Sequence, residues 1–188
     1  MTDKPTPCLT PAGASAMQAR VHVTVIVGDN GSGKTALLRE VAHAHARSLS
    51  DIYVHAAARV TPETVRTADW ACGTVYFDDF GDSLDIRAIV AVCRLVSKYA
   101  TYHDARAFIT THAPYVVDMF AVDGVCVVGR DADGVHGIQL VDLVRRTAPR
   151  LVYRFQAGEQ WMNIDPQLPL IREHGKLWLT AEAACPAR

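Results

Sequence analysis

The sequence predicts an α/β fold with a mainly parallel sheet flanked by helices. Three observations carry that prediction. Apolar, β-branched runs such as "VHVTVIV" (Val21 to Val27) recur along the chain. They are nearly unbroken rather than alternating, as in strands buried on both faces. Helix-periodic segments fall between them, which argues for βαβ units.

Each element has its own local warrant. After the first strand, Thr35 to Arg47 reads as a helix, with Leu37, Leu38, Val41 and Ala44 at helical spacing. "DIYVHA" (Asp51 to Ala56) reads as a short strand. Thr61 and Pro62 open a short helical or irregular segment, because Thr caps and Pro suits the first helical position. "GTVYFDDF" (Gly73 to Phe80) is apolar until it meets two acids and reads as the next strand. Leu84 to Ala100 is a strongly apolar helix that Asp85 can cap. "ARAFITTH" (Ala105 to His112) is a strand ending in Thr-Thr-His, and Pro114 to Phe120 suggests a short helix. "GVCVVGR" and "GVHGIQLV" (Gly134 to Val141) read as two strands joined by the turn "DADG". Beyond Arg150, "LVYRF" is one more candidate strand, so a small β-containing extension is expected. The expected organisation is a flexible leader over residues 1–20, a core over 21–150, and an extension of the same domain over 151–188.

Composition bounds the function. The chain has 188 residues, 49% of them hydrophobic, enough for one domain with a real core. The formal net charge of -1 provides no global basic field for nucleic acid, which leaves DNA contact to a local patch or a partner. Five cysteines (Cys8, Cys72, Cys93, Cys126, Cys185) with no CxxC read as free thiols in a reducing compartment. No apolar run reaches the roughly 18 residues a membrane helix needs. A cytoplasmic location is expected, with no membrane partner.

Gly28, Asp29, Asn30, Gly31, Ser32, Gly33, Lys34 and Thr35 match G-x-x-x-x-G-K-[ST] in full, and Ala36 follows in the helix. A buried strand precedes the match and a helix follows it. Glycines let a backbone wrap closely and aim N–H groups at phosphate. The helix N-terminus adds positive partial charge. Lys34 would bridge the outer phosphates and the Thr35 hydroxyl would hold Mg²⁺, so the expected fold is that of a P-loop NTPase. Asp78 and Asp79 end an apolar strand at the sheet edge where such a loop lies. Asp78 would bind Mg²⁺ through water, and Asp79 would orient or deprotonate an attacking water. The plainer alternative is a pair of solvated acids.

"DDFGDSLD", Asp78 to Asp85, resembles the stretch of ABC-type ATPases in which the Walker B end runs into the D-loop. Asp78, Asp79, Leu84 and Asp85 fall in matching places, with Asp79 where that family usually has Glu. Thr111, His112, Ala113 and Pro114 are similar to the T-H-S-P that ends a strand in ABC-type and SMC-like or OLD-like ATPases, with Ala113 in place of Ser. By that resemblance His112 is a switch histidine reaching the γ-phosphate and the attacking water. The order of these motifs covers Val21 to about Val128 and resembles a stand-alone SMC/OLD-like ATPase. The resemblance implies ATP and Mg²⁺, a homodimer or the ATPase subunit of a larger complex, and a role in DNA maintenance or phage defence.

Two family parts are missing. Ala36 to Phe77 contains no glutamine for a Q-loop and no L-S-G-G-Q signature. Ala157 to Gln160, "AGEQ", looks like a signature fragment in the wrong order; it reads as a turn with Gly158 at positive φ, with a nucleotide contact in trans as the alternative. Arg145, Arg146, Arg150 and Arg154 form a basic cluster that reads as a solvated face, with DNA or phosphate as its alternative ligand. Any of them, or Arg59 or Arg66, could serve as an arginine finger. Besides an ATPase, a small P-loop kinase and a nucleotide-gated scaffold with negligible turnover fit the same motifs. No N-K-x-D guanine motif is present.

Overall fold

Residues 22–45, 60–81, 84–132, 134–147 and 156–163 are described by the computed structural model. Strand β1 (Val23–Val27) is buried along its whole length. Its residues are all β-branched, which suits an extended backbone with both faces covered. Val23, Val25 and Val27 point into one core, together with Val75, Phe77, Ala107 and Ile109. Ile26 points into the other, against Leu37, Leu38 and Val41. These last three belong to helix α1 (Lys34–His45), which begins one residue earlier than the sequence pattern suggests.

Helix α2 (Pro62–Thr67) starts as expected at Thr61, whose side chain accepts from the Thr64 amide while the Thr64 hydroxyl accepts from the Thr61 amide. The following turn buries Trp70, whose indole N–H donates to the Val65 carbonyl at 2.8 Å. Strand β2 (Thr74–Phe77) stops just before the two acids. Helix α3 (Ile86–Tyr102) is capped by Asp85, whose Oδ1 accepts from the Arg87 and Ala88 amides at 2.9 Å each. Such a cap contributes about 1 kcal/mol. Strand β3 (Arg106–Thr111) leads to the short helix α4 (Pro114–Val117). Strands β4 (Val125–Asp131) and β5 (Gly134–Gln139) form the expected hairpin.

The five strands lie in the order β2-β3-β1-β4-β5. The first three pairings are parallel and only β4–β5 is antiparallel. The chain is therefore an α/β protein with a mostly parallel sheet flanked by helices. No helix among the described residues is long and apolar enough to cross a membrane. Cys93 and Cys126 are free and buried, and burial pushes both thiols up to about 12, so they stay protonated near neutral pH. Cys72 is free and exposed.

Two expectations need correction. The strand expected to run to Val141 stops at Gln139, and Leu140 and Val141 open helix α5 (Leu140–Thr147). Leu140, Leu143 and Val144 are spaced as a helical stripe, and all three are buried in the core. Burial of that stripe overrides the strand pattern. Nor is Gly158 a turn residue at positive φ: it lies in helix α6 (Ala157–Asn163). A Cβ there would collide with the Pro114 carbonyl, and the Gly158 amide donates to Asp118 Oδ1 at 2.6 Å. Gly158 is needed so that α6 can close on α4. The expected strand at Asp51–Ala56, the leader, the candidate strand at 151–155, Asp82, Ser83, Arg59, Arg150 and Arg154 lie outside the described residues.

Replacing Gly158 with Ala should destabilise the fold by about 1–3 kcal/mol, the usual cost of overpacking against backbone. A urea titration followed by tryptophan fluorescence would show a lower midpoint. A parent-like midpoint would mean that α6 does not rest on α4.

Candidate functional site

The C-terminal ends of β1, β3 and β2 lie side by side. Register pairs Val27 with Thr111 and Phe77 with Ile109. The residues that follow these strands therefore gather at one sheet edge: Gly28 after β1, Asp78 and Asp79 after β2, and His112 after β3.

The loop from Gly28 to Gly33 joins β1 to α1. It is closed by a bond from the Ser32 amide to the Asp29 carbonyl at 3.1 Å. Gly28 and Gly33 are required for different reasons. A Cβ on Gly28 would press on the Val128 carbonyl and lie 2.7 Å from Ser32 Oγ. Gly33 has φ +92, and a Cβ there would lie 2.5 Å from Val135 Cγ2. Asp29, Asn30 and Gly31 are exposed, as is Ala36 in the first turn of α1. The Leu37 amide bonds back to the Gly33 carbonyl at 2.9 Å. The earlier amides of a helix have no acceptor within it and carry its positive partial charge.

Lys34 is buried at 8% exposure. Its Nζ donates to the Gly28 carbonyl at 2.8 Å and to the Asp29 carbonyl at 2.9 Å, so the ammonium lies folded over the start of the loop. Ser32 is equally buried, and among the described residues its hydroxyl has no hydrogen-bond partner. A buried hydroxyl without a partner costs about 1–3 kcal/mol. Here it sits inside a loop that also holds a cation and a helix N-terminus. Such a cradle has the donors that an anion with several oxygens requires.

Asp78 ties the edge together. It is buried at 5% exposure, and its Oδ1 accepts from Thr35 Oγ1 at 3.0 Å and also from Thr110 Oγ1. Thr110 Oγ1 in turn accepts from the Asp79 amide at 2.9 Å. Thr111 Oγ1 donates to the Phe80 carbonyl at 2.7 Å and accepts from the Ala113 amide at 3.1 Å. The two threonines thus stitch the turn after β2 to the turn after β3. Asp79 sits at φ +51 with its side chain exposed. That conformation costs on the order of 1 kcal/mol for a residue with a Cβ, and aspartate tolerates it better than most. His112 is also exposed, between buried Thr111 and buried Ala113.

Thr35 Oγ1 and Asp78 supply adjacent oxygen donors, which fits Mg²⁺. That ion takes one or two protein oxygens and completes its shell with phosphate and water. Among the described residues no group of three or more His, Cys, Asp or Glu could form an all-protein metal cage.

The structure thus brings Gly28, Ser32, Gly33, Lys34, Thr35 and Asp78 into one bonded or packed assembly, with Asp79 and His112 on adjoining turns. It does not bring every flagged residue there. Arg66 pairs with Glu63 at 3.3 Å on exposed α2. Arg145 and Arg146 are exposed on α5, where Arg145 lies 3.7 Å from Asp142 of the same helix. Within "AGEQ", Ala157, Gly158 and Gln160 are buried in their own chain. The sequence marks the polar Thr-Thr-His strand end and places Thr111 in the T-H-S-P-like match, but it assigns no bonding role to Thr110 or Thr111. It also missed Val128 and Val135, which pack on the loop only through tertiary structure. No protein-family model matches the chain, and a search of curated proteins finds no match.

Replacing Thr110 with Val should cost about 1–3 kcal/mol, because it removes a donor from buried Asp78 and an acceptor from the Asp79 amide. Thr110→Ser should recover most of that loss in the same unfolding titration. A Val variant as stable as the parent would show that the threonine does not hold the acidic turn.

Proposed function

We propose that the chain is an ABC-like P-loop ATPase of the stand-alone SMC/OLD-like kind, which binds ATP with Mg²⁺ and hydrolyses it. One observation carries this reading: the Gly28–Thr35 loop is bonded through Thr35 to Asp78, which is bonded through Thr110 to the turns bearing Asp79 and His112. A phosphate cradle, a cation site and two groups suited to water activation thereby share one sheet edge.

Loop amides and Lys34 would bind the phosphate chain, with the ammonium exchanging the Gly28 and Asp29 carbonyls for phosphate oxygens. The buried Ser32 hydroxyl would gain an acceptor. Mg²⁺, when bound, neutralises charge on the phosphate oxygens, and Thr35 and Asp78 would hold it. Asp79 would orient a water molecule and take its proton as the new oxygen–phosphorus bond forms and the bond to the departing diphosphate breaks. The hydrogen bond from the Asp79 amide to Thr110 fixes the backbone from which that carboxylate acts. His112 would donate to the outer phosphate, so its turn would respond to whether that phosphate is present.

Hydrolysis would then switch a homodimer or a partner subunit, with any DNA contact made through the partner. The exposed Ile86 at the start of α3 and Tyr115 on α4 flank this edge and suit a surface that becomes covered. A scaffold that holds ATP with negligible turnover is the second reading. It is favoured by the burial of "AGEQ" in its own chain, which leaves only Glu159 of that stretch exposed, and by the one-methylene shortening at Asp79. A misplacement of about 1 Å in a catalytic group can cost on the order of 100-fold in rate.

Phosphate release from ATP should require Mg²⁺ and rise faster than linearly with protein concentration. It should fall by about 100-fold or more in Lys34→Ala and in Asp79→Asn. ATP bound without release, with DNA also present, would select the scaffold. No binding in the parent would overturn both readings.

A further inference from the structure

The cradle has two unlike flanks. On one side, β3 and β2 bring His112, Asp78 and Asp79. On the other, β4 and β5 form a hairpin that overshoots β1. Register pairs Val27, the last residue of β1, with Val127, so Val128 to Asp131 run on beside the loop. The Val128 carbonyl sits against Gly28, and Val135 sits against Gly33. A phosphate chain whose outer end faces Asp79 and His112 must leave its inner end toward this hairpin. For a nucleotide, the inner end carries the sugar and the base.

Arg130 occupies that flank. Along β4, Cys126 and Val128 face the α1 side of the sheet, where they pack with Leu37, Leu38 and Val41. Arg130 is the next residue in that alternation. It is paired across the hairpin with Val135, which packs on the same cluster. Directly paired residues of an antiparallel ladder share a face and lie about 4.5–5.5 Å apart at Cβ. Arg130 therefore rises from the α1 face immediately beyond the side chain that covers Gly33. It is exposed, and among the described residues no acid is paired with it. The neighbouring acid of the hairpin, Asp131, faces the other side and holds His136 at 3.1 Å.

We infer, building on the nucleotide reading above, that Arg130 covers the nucleoside end of the ligand, its guanidinium plane stacked on the base with Val135 as an apolar floor. A guanidinium is planar and weakly hydrated, so it stacks on aromatic faces in a way that an ammonium does not. This gives the site a contact that distinguishes a nucleotide from a bare polyphosphate, and that role requires no residue of the phosphate loop.

Calorimetric titration of the full chain with ATP and with inorganic tripolyphosphate, both with Mg²⁺, tests the assignment. Arg130→Ala should weaken ATP about tenfold and leave tripolyphosphate unchanged. Arg130→Lys should recover little of the ATP affinity. Equal loss for both ligands, full rescue by Lys, or unchanged ATP binding in the Ala variant would overturn the stacking role while leaving the phosphate-loop reading intact. Failure of the parent to bind either ligand would overturn that reading and this inference with it.

Discussion

One buried carboxylate organises the sheet edge. Asp78 is nearly removed from solvent, and an ionised carboxylate in that position is costly unless hydrogen-bonded. Its Oδ1 receives two hydroxyls, from Thr35 in the first turn of α1 and from Thr110 at the end of β3. Three chain segments far apart in sequence are thereby held at one oxygen. The turn bearing Asp79 is fixed from the same point, because Thr110 also accepts the Asp79 amide. Removing Asp78 would release the start of α1 from this edge and leave the acidic turn held by Thr110 and Thr111.

The strand order turns that knot into a site with direction. Placing β3 between β1 and β2 sets His112 between the glycine loop and the two acids. Placing β4 and its antiparallel partner β5 on the far side of β1 closes the loop from behind, through the Val128 carbonyl and the Val135 side chain. Asp79 and His112 lie on one flank and the hairpin bearing Arg130 lies on the other. Loop glycines are needed at the points where neighbouring strands crowd the backbone, so the shape of the loop and the packing of the sheet are one constraint.

Much of this was legible in the residues. Unbroken β-branched runs mark strands covered on both faces, and β1 is such a strand. Thr61, Pro62 and Asp85 act locally, so their capping roles could be read without tertiary information. The hairpin turn is equally local. The errors arise where burial decides. Leu140 and Val141 continue a strand pattern, yet they open a helix because Leu140, Leu143 and Val144 share a stripe that the core covers. Gly158 resembles a turn residue in sequence, but its backbone lies against Pro114, more than forty residues earlier in the chain. For the site, spacing identified the loop, the acids and the histidine as candidates. The threonine stitching and the hairpin wall depend on strand register, which no local pattern encodes. His112 and Asp79 are placed on adjoining turns by the fold.

If the Gly28–Thr35 loop is an anion cradle coupled to the acidic turn, a bound nucleotide must be felt in both segments. Hydrogen exchange of backbone amides, with and without ATP and Mg²⁺, tests it most directly. Exchange should slow in Gly31 to Ala36, with a smaller slowing in the Asp79 and Phe80 turn to which Thr110 and Thr111 are bonded. Unchanged exchange in the loop, or protection confined to segments away from this sheet edge, would contradict it.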